Sequence, residues 1–231
     1  MADFAFFLHR TIELKDEYRK FTLSVGDLKS INPNTKTCPV FRSKRDAILI
    51  LSIYKNTSVL VNNQIPQDDQ DFEVLSDLIN MTHDSSSFAT ESSLGFIPLY
   101  EGKMIWAYDH RAASVKTNAA NLSRHSQSIP TSQSDYSNPN FYPNPEYWIT
   151  KEKAWESVKR LNDPHLNSLV TYRLITSPTN ERTMVASVIP FSGVAQSLNV
   201  IYPKNNSISI AVVVANLNSF MFDYITRSMS E

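Results

Sequence analysis

Glycine is scarce in this chain: four residues of 231, Gly26, Gly95, Gly102 and Gly193, all isolated. Nucleotide and S-adenosylmethionine sites of the doubly wound kind need clustered glycines, because the backbone must turn tightly and approach the ligand closely. No G-x-G is present, so a phosphate-cradling loop and a cofactor-binding Rossmann turn are excluded. Cysteine is scarcer still. Cys38 stands alone, which rules out an internal disulfide and a cysteine-based zinc site. The five histidines, His9, His83, His110, His125 and His165, are too dispersed to suggest a metal centre. No G-x-S-x-G elbow supports a hydrolase reading of Asp109-His110, and no E-x-K follows the acidic run Asp68-Asp69 and Asp71 to make a nuclease centre.

An excess of basic charge is also missing. Lys and Arg number 22 against 23 Asp and Glu, and the charged share is 19%. Phosphate neutralisation supplies most of the affinity of a free-standing DNA binder, so any basic surface here is local. There is no apolar run of membrane-spanning length, and Asp3 stands where a signal peptide carries a basic residue. The expectation is a cytoplasmic protein with no membrane partner. Hydrophobic residues make up 42%, enough for a globular core in a chain of this length.

The chain reads as mixed short strands and helices, α+β rather than alternating βαβ. Phe4–Leu8 reads as a strand. Ser24 caps a helix over 24–31 that stops at Asn32-Pro33-Asn34, and Ser43 opens an amphipathic helix to about Asn56, with Ala47, Ile48, Leu51 and Tyr54 at helical spacing. Ser58–Val61 reads as a short strand, Phe72–Ile79 as strand or helix, and Ile97–Tyr108 as a strand pair or a bent strand. Residues 112–146, rich in Ser, Asn, Gln, Pro and Ala, read as a long, partly mobile polar loop. Thr150 caps a helix over 151–161. Strands are expected at Leu169–Ile175, Met184–Ile189 and Ala195–Tyr202, and one long helix from Ile208 to about Arg227. The division expected is an N-terminal α+β subregion over 1–111, the loop 112–146, and a β-rich recognition subregion with a terminal helix over 147–231.

Five segments in order resemble one family. They are Asn32-Pro33-Asn34-Thr35-Lys36-Thr37-Cys38-Pro39-Val40-Phe41-Arg42-Ser43, Met81-Thr82-His83-Asp84-Ser85 with Phe88, Pro98-Leu99-Tyr100-Glu101-Gly102-Lys103-Met104-Ile105 with Asp109-His110-Arg111, Thr179-Asn180-Glu181-Arg182-Thr183 after Arg173-Leu174-Ile175, and Asn216-Leu217-Asn218-Ser219-Phe220. The loop from Asn121 to Trp148 adds a further likeness. The chain is similar to the post-catalytic, target-recognition region of large adenine-N6 DNA methyltransferases of type IIG-like restriction-modification and phage-defence systems. The resemblance implies a TaqI-like specificity domain that binds duplex DNA beside a separate methyltransferase catalytic domain or subunit. S-adenosylmethionine belongs on that partner, with no cofactor and no metal here. The family's methyltransferase domain and its Asn-Pro-Pro-Tyr motif are not matched. The chain is therefore expected to be no enzyme by itself: a split subunit, a fragment or a non-functional remnant. Asn138-Pro139-Asn140-Phe141 and Asn144-Pro145-Glu146-Tyr147 look like the missing motif but lack its second proline.

Candidate DNA contacts follow from side-chain chemistry. Arginine reads guanine bidentately and asparagine reads adenine, which singles out Arg173, Asn180, Arg182 and Thr183, against the alternative of a simple turn. Lys103 and Arg111 are candidates for phosphate clamping, against a buried network in which Asp109 satisfies Arg111 and His110 packs on tyrosines. Arg42, Lys44 and Arg45 sit at a helix N-terminus, which favours anions, against an exposed, solvated first turn. No catalytic residue is expected. The competing role is a structural or protein-interaction module that docks on a methyltransferase subunit without touching DNA.

Overall fold

The computed structural model describes residues 1–117, 126–205 and 207–230. They form mixed α+β structure, with several short sheets and, among the described residues, six α-helices. At the N-terminus β1 (Ala2–Phe4) pairs antiparallel with β2 (Phe21–Leu23), shorter than and displaced from the expected Phe4–Leu8. Phe7 adopts φ 56°, which ends extended structure there. Ser24 caps α1 (Val25–Ile31): it accepts from the Asp27 amide while the Asp27 carboxylate accepts from its own N–H, a reciprocal capping box. Ser43 likewise caps α2 (Lys44–Asn56) through the Asp46 amide. The face of α2 turned inward carries Ala47 and Ile50, with Leu51 and Tyr54 partly buried, whereas Ile48 is exposed. These side chains close a small core with Phe21, Leu23, Ile31 and Phe41.

The chain then supplies β3 (Phe72–Leu75), β4 (Phe96–Tyr100), β5 (Ala113–Thr117), β6 (Ser126–Pro130), α3 (Gln133–Tyr136), β7 (Trp148–Thr150), α4 (Lys151–Val158), β8 (Ser168–Arg173), β9 (Ala186–Pro190), β10 (Gly193–Val194), β11 (Leu198–Pro203), α5 (Ile210–Leu217) and α6 (Phe220–Ser230). Ser58–Val61 forms no strand. The polar stretch 112–146 holds more order than a loop, since β5 and β6 pair along their full length. The expected mobility at its centre falls on residues 118–125, outside those described.

The principal sheet has the order β3-β11-β8-β9, with every pairing antiparallel. Side-chain alternation sends successive residues to opposite faces. Leu75, Leu169, Ile189 and Val200 pack with Tyr100, Met104, Val158 and Leu161 on one side. Val74, Val170, Val188 and Ile201 pack with Val213, Val214 and Leu217 of α5 on the other. Each fully buried aliphatic side chain contributes roughly 1.5–3 kcal/mol, so coverage on both faces makes this sheet the frame of the molecule. A second sheet, β10-β4-β7, is joined to it by the crossover 195–197: the Ala195 amide donates to Tyr100 and the Gln196 amide to Ile79. Gly193 is required at this crossing, because a Cβ there would lie 2.5 Å from Ile149 Cδ1.

Two expected elements end differently for local reasons. The strand expected from Met184 begins at Ala186, because the Thr183 and Met184 amides are claimed by Asp223. The single terminal helix is two helices. Asn218 leaves the helical path to bond Ala186, and the Ser219 hydroxyl restarts the helix by accepting from the Phe222 amide.

Candidate functional site

The site lies at the end of the principal sheet where β8 finishes, β9 begins and β11 starts. β9 is an edge strand, and an open edge presents unpaired N–H and C=O groups. At Ala186 that edge is closed by a side chain that imitates a peptide: Asn218 Oδ1 accepts from the Ala186 amide at 3.0 Å and Nδ2 donates to its carbonyl at 2.8 Å. The same carbonyl accepts from the Tyr108 amide at 3.0 Å. Two segments flank this point: Ala186 itself pins the first, and α6 holds the second.

The first is a tight turn over 106–109. Trp106 and Asp109 exchange two backbone hydrogen bonds, and Tyr108 takes φ 66°, a left-handed conformation uncommon for a bulky residue. Its side chain is 62% exposed. Arg173, at the end of β8, holds this turn from below. Its Nε donates to the Gly102 carbonyl at 2.7 Å, its Nη2 donates to the Ile105 carbonyl, and its guanidinium lies 5.0 Å from the Trp106 ring centroid. Gly102 belongs to a short 3-10 turn, and a Cβ on it would lie 3.1 Å from the Ser197 carbonyl oxygen.

The second part is the loop 174–183. Asp223 of α6 accepts from the Thr183 and Met184 amides at 2.8 and 2.7 Å and from Arg227 at 3.1 Å. Arg227 also donates to the Pro178, Asn180 and Glu181 carbonyls. Arg182 donates to the Asn218 carbonyl, lies 3.8 Å from the Asp223 carboxylate, and covers the Phe220 ring at 5.3 Å. Burial alone would raise the Asp223 carboxyl. The Met184 and Thr183 amides and the two arginines outweigh it and hold the group below the usual carboxylate range. The loop backbone is therefore fixed, while the Leu174, Ile175, Thr179, Asn180 and Glu181 side chains are exposed.

Beside the turn, Tyr100 is fully buried, and its hydroxyl meets His110 Nδ1 at 3.1 Å. Burial pushes the Tyr100 phenol upward and the His110 imidazolium downward, and the His110 ring lies 6.4 Å from that of Tyr100 and 6.2 Å from that of Tyr142. Asp109 accepts from the Arg111 amide and the Tyr136 hydroxyl, and the Arg111 guanidinium covers the Tyr136 ring at 5.5 Å. His110 packs against tyrosines as the network alternative has it, but of this group only Tyr100 is buried, and Asp109 binds the backbone of Arg111 rather than its side chain. Lys103 lies between Glu101 at 3.0 Å and Glu146 at 3.3 Å and donates to Ser126. Burial raises Glu101. For Glu146, burial is outweighed by Ser126 and Lys103, which hold it low.

The structure brings Lys103, Arg111, Arg173, Asn180, Arg182 and Thr183 to this one end of the sheet. Their tasks differ from the expectation. Arg173, Arg182 and Lys103 spend their donors on internal carbonyls and carboxylates. Thr183 is 1% exposed, so it fixes the loop and does not reach an external ligand. Asn180 is exposed and Arg111 half-exposed. Arg42, Lys44 and Arg45 lie at the start of α2, which meets α6 through the Tyr224–Asp46 hydrogen bond, and all three are exposed. Arg42 also lies 5.9 Å from the Phe7 ring. Sequence reasoning passed over Trp106, Asn218, Asp223 and Arg227 as site residues. The signal available was the dense polar set in the Asn218–Arg227 helix start, which an amphipathic reading leaves unexplained.

Gly102 and Gly193 serve close packing, Gly95 takes a φ of 86°, and Gly26 lies in the first turn of α1. Both Asn-Pro segments make hydrogen bonds within the chain. The Asn144 amide and carbonyl bond Ser114 and Val115, and Asn138 Oδ1 accepts from the Asn140 amide. Among the described residues no group of three or more His, Cys, Asp or Glu is placed to hold a metal, and no helix is long and apolar enough to cross a membrane. Compared with protein-family models and with curated proteins, the chain matches none.

Proposed function

We propose that the chain is a DNA target-recognition region of an adenine-N6 DNA methyltransferase of a restriction-modification or phage-defence system, with a TaqI-like specificity fold. On this reading it holds the duplex and selects sequence, while a separate catalytic domain binds S-adenosylmethionine and transfers the methyl group. The chain alone transfers none. The observation that carries the reading is a pair of segments, the turn pinned at Ala186 and the loop 174–183 held by Asp223 and Arg227, which expose Tyr108 and Asn180 on backbone fixed by polar contacts. Recognition needs side chains held close to productive geometry by a supporting shell, and Asn218, Asp223, Arg173, Arg182 and Arg227 are that shell. Asn180 then contacts a base edge, an amide being suited to adenine. Arg111, Lys44, Arg45 and Arg42 meet phosphates, which set register without reading sequence.

Exposed positions make the clean test, since reversing Arg173 or Arg182 would dismantle the frame. Asn180→Asp and the pair Lys44→Glu with Arg45→Glu are expected to weaken duplex binding at an unchanged unfolding midpoint. Full binding by both variants removes the reading. A second reading, docking on a methyltransferase subunit without DNA contact, is favoured by apolar exposure beside the occupied arginines: Phe220 is 85% and Ile175 74% exposed. Phe220→Ser with Ile175→Ser that abolishes subunit association, in a chain that never binds DNA, would establish it.

A further inference from the structure

The ribbon β5–β6 occupies the stretch that reads as a polar loop in the sequence. Its register places Lys116 opposite Gln127 and Ser114 opposite Ile129. Its root is tied down on several sides. Ala113 and Val115 are buried, and the Val115 amide donates to the Asn144 carbonyl at 2.7 Å. The Asn144 amide donates to Ser114 Oγ at 3.0 Å, and the Thr131 amide donates to the Ala112 carbonyl at 3.0 Å. At the other end of the ribbon, where Ser126 faces Thr117, Lys103 donates to Ser126. Lys116, Thr117, Gln127, Ser128 and Ile129 are exposed.

Directly opposed residues of an antiparallel pair share a face. Ser114, Lys116, Gln127 and Ile129 therefore line the face turned away from buried Ala113 and Val115. The ten ribbon positions carry one cation and no carboxylate, in a chain whose acidic residues slightly outnumber its basic ones. A rigidly rooted, anion-free, two-stranded ribbon with an amide and an ammonium side by side has the attributes of a groove reader.

We propose that this ribbon enters the major groove of duplex DNA, with Gln127 and Lys116 at its contacting face; the inference rests on the recognition reading above and adds a second reading element to Asn180. The B-form major groove is about 12 Å wide and admits a two-stranded β-ribbon. The Gln127 amide suits the N6 and N7 edge of adenine, and Lys116 suits guanine O6 and N7 or a flanking phosphate. Ile129 supplies an apolar contact of the kind that meets a thymine methyl.

The experiment uses the full chain and three forms of one mixed-sequence duplex at low salt, read by fluorescence anisotropy. The first is plain, the second has glucosylated hydroxymethylcytosine filling the major groove, and the third is loaded with netropsin in the minor groove. The expected result is equal binding to the plain and netropsin-loaded forms and lost binding to the glucosylated form. Lys116→Ala with Gln127→Ala is expected to lower affinity for the plain form about tenfold, a change of about 1.4 kcal/mol. Its unfolding curve should match the parent, since both side chains are exposed. If the parent binds plain duplex but the double variant binds equally, or glucosylation has no effect, or netropsin abolishes binding, the ribbon assignment is overturned while the recognition reading stands. If the parent binds no duplex, both fall.

Discussion

Replacing Asp223 by alanine strips one carboxylate from three hydrogen-bond donors and from the longer ion-pair contact of Arg182. The Thr183 and Met184 amides are buried and have no water to turn to, and each orphaned group costs about 1–3 kcal/mol. Arg182 and Arg227 lose their nearest opposite charge, and breaking a buried pair from one side costs about 3–5 kcal/mol. These contributions overlap, because the arginines keep carbonyl partners at Asn218 and Pro178. The expected loss for Asp223→Ala is about 3–5 kcal/mol, and for Asp223→Asn, which retains an accepting oxygen, about half of that. Urea unfolding monitored by tryptophan fluorescence and far-UV dichroism measures both, with an unchanged slope showing that only stability moved. The carboxyl is held below its ordinary value in the fold, so its stabilising contribution is complete above the unfolded pKa of about 3.9 and fades as pH falls through the folded value. The gap between parent and Asp223→Asn must therefore close as pH drops below about 4. A loss under about 1 kcal/mol for Asp223→Ala, or a gap independent of pH in that range, would refute the assignment of this residue as the anchor of the loop.

Asn218→Ala leaves the Ala186 amide without its partner at a sheet edge, so a loss of about 2–4 kcal/mol is expected in the same urea assay, together with faster amide exchange at Ala186. Gly193→Ala drives a methyl group to within 2.5 Å of Ile149 Cδ1 in a packed core, and thermal unfolding should report about 1–3 kcal/mol of destabilisation. Arg173→Lys keeps a charge but not the two-pronged grip on Gly102 and Ile105. Trp106 fluorescence should shift toward that of a solvated indole, with a stability loss of about 1–3 kcal/mol.

Elements whose causes are local are legible in the chain. Ser24, Ser43 and Thr150 announce their helices because a hydroxyl and an amide three residues on suffice to cap them. The β-rich last third is legible from its apolar strands. What escapes is set by partners far away in sequence. The break between α5 and α6 carries no glycine or proline and exists because Asn218 finds Ala186, 32 residues back. The β5–β6 ribbon escapes because Ser-Gln-Ser and Val-Lys-Thr offer little apolar alternation, and its pairing is secured by ties to Asn144 and Lys103. The candidate site was half legible. Two polar clusters stand out in the sequence, around 103–111 and 173–183, and they do meet. The sequence leaves their arginines and lysine open between outward contact and an internal network, because it displays donors and conceals the backbone carbonyls that claim them.

The central claim is duplex recognition without catalysis, and a salt titration of duplex binding by the purified chain tests it most directly. The account calls for affinity that falls steeply and linearly on a log–log plot as salt rises, with a slope corresponding to a few neutralised phosphates, about 0.9 per contact. A folded chain that fails to bind duplex even at low salt contradicts it.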